Sequence, residues 1–119
     1  MRILLFIWAA LSALPCHAVE VFATVPEWAA LAREIGGDKV GVFAATHGMQ
    51  DPHHVEARPS LIARARRADM VVATGAELEA GWLPVVLREA GNPRVQPGQP
   101  GYFEAAGFVR MLDVPARLD

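Results

Sequence analysis

Short apolar runs alternate along this chain with segments of helical period, and that alternation narrows the fold more than any other feature. Residues 19–25 (Val-Glu-Val-Phe-Ala-Thr-Val), 40–45 (Val-Gly-Val-Phe-Ala-Ala) and 69–74 (Asp-Met-Val-Val-Ala-Thr) read as strands. Between the first two, Pro26-Glu27 suits a helix first turn and Trp28, Leu31, Ala32 and Ile35 recur at helical spacing, ended by Gly36-Gly37. Pro59-Ser60 opens a second helix with Leu61, Ile62 and Ala65 on its apolar side. Trp82, Leu83, Val86, Leu87 and Ala90 mark a third, with Pro84 in its first turn and Gly91 as its stop. Residues 92–101 are rich in proline and glycine and read as a surface connector without regular structure, and residues 108–114 are expected to form a fourth strand. The order β-α-β-α-β-α-loop-β predicts an α/β fold: a parallel β-α-β lobe of three to four strands with covering helices and right-handed crossovers. The strand sequences are apolar on both faces, as a sheet covered on both sides requires. No internal repeat is present.

In parallel sheets of this kind ligands sit outside the carboxyl ends of the strands. The loops there therefore carry the functional expectations. Trp28 follows the first strand, His47, His53 and His54 follow the second, and Glu77 and Glu79 follow the third. The stretch Gln50-Asp51-Pro52-His53-His54-Val55-Glu56-Ala57-Arg58-Pro59-Ser60 stands out. It holds two histidines and two carboxylates within six residues. Imidazole is the commonest protein ligand for borderline metals, and carboxylates complete such sites. Pro52 fixes its own φ and biases Asp51 toward an extended backbone. The plainer alternatives are a solvated polar loop, His54 pointing to solvent, Glu56 capping the next helix, Trp28 in the core, and Glu77 and Glu79 as first-turn acids favouring a helix N-terminus.

The start of the chain reads as an address. Arg2 precedes an apolar run over residues 3–14, too short to span a bilayer comfortably, and Cys16-His17-Ala18 places small residues at a cleavage site. Residues 1–18 are thus expected to be a cleaved signal peptide, and residues 19–119 the mature, secreted domain. Leu14 and Pro15 do not fit a lipobox before Cys16. Cleavage removes Arg2 and no acid, so cationic residues fall from 11 to 10 against 13 acidic ones, a net charge of -3. It also removes the only cysteine, so a metal site in the mature chain must use nitrogen and oxygen ligands. With 53% hydrophobic and 20% charged residues the chain is globular, and its 119 residues suffice for one small domain. Nothing in the charge balance suggests nucleic-acid binding; Arg64, Arg66 and Arg67 read as a solvated helix face.

Asp51-Pro52-His53-His54-Val55-Glu56, then Pro59-Ser60, then Ala68-Asp69-Met70-Val71-Val72, then Gly75-Ala76-Glu77-Leu78-Glu79 form an ordered set. Together they resemble the zinc/manganese-type (TroA-like) periplasmic solute-binding proteins of metal ABC importers. The resemblance runs from Val19 to about Leu87. It implies one lobe of a two-lobed protein that captures Zn2+, or Mn2+, as transported ligand and hands it to an importer permease. Zinc is favoured by histidine ligation. It also implies that His53 is a direct metal ligand; His54, His47 and Glu56 are weaker candidates. In the family two further histidines and an acid complete the site, but no histidine follows His54 here. The expectation is therefore a truncated, N-terminal lobe: a monomeric binding protein rather than an enzyme, with weak metal affinity. The alternatives are a non-functional fragment of such a protein and, third, a secreted metal-dependent hydrolase. No HExxH, GxSxG or phosphate-binding glycine loop supports the last.

Overall fold

A computed structural model of the chain describes residues 17–112. Most of the expected signal peptide and the last residues of the expected fourth strand lie outside them. Four parallel strands form one sheet: β1 (Val19–Ala23), β2 (Val40–Ala44), β3 (Met70–Ala73) and β4 (Tyr102–Glu104), in the order β2-β1-β3-β4. Three α-helices connect them: α1 (Pro26–Gly36), α2 (Pro59–Arg67) and α3 (Leu83–Ala90). Each carries a proline in its first turn, where the missing N–H would have no intrahelical partner.

Register decides which side chains share a face. Phe43, Phe22, Val71 and Tyr102 align across the four strands. They point to the side covered by α2 and α3, where Leu61, Ala65, Leu83, Val86, Leu87 and Val95 complete the core. The opposite side is different. Strand order sends the chain one way from β1 to β2 and the other way afterwards, so right-handed crossovers leave α1, among the described residues, as the helix on that face. Between α1 and the sheet lies an apolar groove of about 520 Å³, lined by residues such as Val21, Trp28, Leu31, Ile35, Val72 and Phe103. The expectation of a sheet covered on both faces thus holds for one face and only partly for the other.

The fourth strand is not at 108–114. It is the three-residue segment Tyr102–Glu104, paired in parallel with β3. The reason lies in the connector. Residues 92–101 are not wholly irregular: Pro93–Val95 form a short 3-10 helix, and Val95 is fully buried under α3. That anchor returns the chain to the sheet early, where Val71 N–H donates to the Gly101 carbonyl at 2.8 Å. Ala105–Phe108 then turn away as a 3-10 helix, and Phe108 stacks on Phe103 with ring centroids 4.9 Å apart. Val109 and Leu112 are exposed.

Candidate metal centre

Three threonines and one glutamate organise the carboxyl edge of the sheet. Thr24 follows β1, Thr46 follows β2 and Thr74 follows β3. Glu79 is almost fully buried, and its carboxylate accepts from Thr24 Oγ1 (2.6 Å), Thr74 N–H (2.8 Å) and Gly75 N–H (3.0 Å). Thr46 Oγ1 donates to the Thr24 carbonyl at 2.8 Å. These bonds close the switch point between β1 and β3, the place where open parallel sheets of this order bind ligands. Glu79 is therefore a structural clamp, not a solvated first-turn acid. Glu77 is exposed. The turn between them is strained: Gly75 (φ +80°) is followed by Ala76 (φ +51°) and Glu77 (φ +69°), both in the left-handed region that non-glycine residues avoid. At Gly75 a Cβ would also collide with the Glu104 side chain.

Trp28 is half-buried, and its indole N–H donates to Thr74 Oγ1 at 2.9 Å. It lines the groove on the α1 side and ties that helix to the edge.

The loop over residues 45–58 presents the histidines. Its base is fixed by the Trp82 indole, which donates to the Pro52 carbonyl at 2.8 Å, and by Val55 and Ala57, which pack on the core. At its tip Asp51 holds both imidazoles. Oδ1 accepts the His53 backbone N–H at 2.9 Å and lies 2.8 Å from His53 Nδ1; Oδ2 lies 2.9 Å from His54 Nδ1. These hydrogen bonds, from the His54 ring, the His53 amide and the His53 ring in that order, hold the Asp51 carboxyl far below the usual carboxylate range. An ionised carboxylate can only accept, so each ring carries its proton on Nδ1. In a neutral ring the Nε2 lone pair is then free. A carboxylate behind a histidine in this way is the usual support of a metal-bound imidazole. The side chains stay open to solvent, 60% exposed for His53 and 85% for His54.

The remaining candidates are less engaged. His47 is exposed and its Nδ1 accepts Met49 N–H at 3.3 Å, which turns that ring into its own loop. Glu56 is exposed and does not cap α2: the residue before that helix is Arg58, without a side-chain cap bond. Among the described residues, no group of three or more His, Cys, Asp or Glu side chains is placed to hold a metal ion. Asp51 as an orienting group, and Trp82 as an anchor, were not among the candidates drawn from sequence. The Asp-Pro-His-His spacing carries a signal for Asp51; nothing local carries one for Trp82, thirty residues away.

The carboxyl edge of this parallel α/β lobe thus carries two imidazoles supported by one carboxylate. The family model described as ZnuA, zinc-uptake complex component A, periplasmic, matches residues 21–107, and the chain belongs to that family. It is a family of solute-binding components, not of enzymes. A solved structure described as the crystal structure of ZnuA is similar, with a TM-score of 0.57 and 31% sequence identity, over 64% of this chain. The match spans 29% of that chain's length. No curated protein matches. Among the described residues no helix is long and apolar enough to cross a membrane.

Proposed function

We propose that this chain is a metal-presenting lobe that captures Zn2+ in the periplasm, after removal of residues 1–18, for delivery to the permease of an ABC importer. His53 is the direct donor through Nε2. His54 shares the same carboxylate and stands as the second candidate, ahead of His47 and Glu56. The observation that carries the reading is the Asp51 clamp. It leaves two Nε2 atoms unencumbered in a loop anchored beside the sheet's carboxyl edge.

Imidazole donors suit zinc better than manganese, which prefers oxygen. Two imidazoles are not a closed tetrahedral set, so tight binding requires further donors. The chain by itself is therefore expected to bind Zn2+ weakly and Mn2+ more weakly still. Calorimetric titration of the full chain and of His53→Ala with both ions tests this. Zinc binding lost in His53→Ala supports the assignment. Equal zinc binding by both proteins refutes it.

A further inference from the structure

The two peptide bonds that flank His53 both meet one step of the chain, Gly81-Trp82. On the near side, the Trp82 indole N–H donates to the Pro52 carbonyl at 2.8 Å. On the far side, the position a Cβ would take at Gly81 is 3.1 Å from the His53 carbonyl oxygen. Gly81 has no positive φ, so its backbone conformation does not demand glycine. What demands it is the closeness of the histidine loop, since any side chain there presses on His53's own backbone.

This step is itself referenced to the sheet. The Trp82 and Leu83 amides donate to the Glu79 carbonyl at 3.2 and 3.0 Å, and the Glu79 carboxylate binds Thr24, Thr74 and Gly75 at the ends of β1 and β3. Trp82 is 1% exposed, so its ring does not swing. A continuous set of bonds thus runs from the carboxyl ends of the central strands to the peptide before His53, and Gly81 of the same step lies close against the peptide after it.

We propose that Gly81 and Trp82 are positioning residues that fix the backbone of His53, while Asp51 sets its ring. The inference rests on His53 being the metal donor. Preorganised donors bind more tightly because less order is lost on binding, and groups that orient a ligand typically contribute about tenfold or more in affinity.

The test uses the full chain with Gly81→Ala, Trp82→Phe and His53→Ala. Gly81 is exposed, so its alanine variant leaves the core intact. Three readouts are taken: zinc affinity by calorimetry, melting temperature without metal, and the ring-nitrogen shifts of His53 by NMR without metal. The expected result for Gly81→Ala is zinc affinity lower by about tenfold, an unchanged metal-free melting temperature, and displaced His53 ring shifts. Trp82→Phe is expected to displace the same shifts while also lowering the melting temperature. Unmoved His53 shifts in both variants overturn the positioning role. So does an affinity loss in Gly81→Ala that only accompanies a fall in melting temperature. If His53→Ala binds zinc as the unaltered chain does, the donor assignment fails instead, and the ring shifts still decide whether the step positions His53.

Discussion

At the scale of single residues, the consequential groups are those whose polar atoms have nowhere else to go. Glu79 is the clearest. Replacing it by alanine strips one buried and two half-buried donors of their acceptor, at a cost of about 2–4 kcal/mol. At about 4–8 °C per kcal/mol for a domain of this size, thermal unfolding followed by circular dichroism should move down by more than 8 °C. Glu79→Gln keeps the shape and one acceptor oxygen, so its loss should be clearly smaller. Tyr102 gives a second residue-level expectation. Burial, then the charge of Glu104 and the hydrogen bond its hydroxyl donates to Glu104 at 3.2 Å, push its pKa up from 10.0 to about 12. The folded phenol therefore holds its proton where the unfolded one releases it. Its contribution to stability is fully present below about pH 10 and is lost as pH rises toward about 12. Tyr102 is the only tyrosine, so tyrosinate absorbance reports it alone; a midpoint near 10 would contradict the environment described.

At the scale of elements, the helices on the filled face are joined at their ends by side chains: Arg66 of α2 donates to the Ala90 and Glu89 carbonyls of α3, and a buried amide reaches back the other way. Asn92 is buried just after α3. Its amide nitrogen donates to the Ala65 and Ala68 carbonyls, at 3.0 and 2.7 Å, at the end of α2. Its oxygen accepts Arg94 N–H at 3.1 Å and starts the 3-10 turn that seats Val95. Asn92→Ala should cost about 1–3 kcal/mol by leaving the Ala68 carbonyl unpaired and the Ala65 carbonyl with only the Ala68 N–H. It should also speed amide exchange at Val71, whose N–H donates to Gly101 beyond that turn. Exchange unchanged at Val71 would mean that the connector holds β4 without Asn92. The elements were legible in the sequence wherever period and punctuation agreed: all three helices, and β1 to β3, lie within a residue or two of where the pattern puts them. The fourth strand was not. Phe108 and the residues after it are the more apolar segment, yet the ladder runs through Tyr-Phe-Glu, because the burial of Val95 sets where the chain rejoins the sheet.

For the whole molecule, the dominant feature is the inequality of the two faces. Among the described residues two helices seal one, while a single helix leaves a groove on the other, with Leu31 49% and Ile35 79% exposed along it. Exposed apolar surface of this continuity binds apolar dyes. The folded chain should therefore enhance the fluorescence of anilinonaphthalene sulfonate, and Leu31→Gln with Ile35→Gln should remove most of the signal without lowering the melting temperature. Dye binding that survives both substitutions would place the accessible apolar surface elsewhere.

The sequence by itself determined the class of fold and the loop that carries the histidines. Those follow from local periodicity, from proline and glycine, and from a short ordered set of motifs, all of which are written in neighbouring residues. Only the tertiary structure decided the roles. Glu79 became a buried clamp because Thr24, at the distant end of β1, joins the nearby Thr74 and Gly75 amides on its carboxylate. Asp51 became the orienting group because the turn at Pro52 brings both imidazoles to one carboxylate. Trp82 came to hold the histidine loop because α3 starts directly beneath it. Two of these contacts, Thr24 with Glu79 and Trp82 with Pro52, join residues 55 and 30 positions apart, and no local pattern encodes them. They exist only once the parallel crossovers have brought the strand ends to one edge.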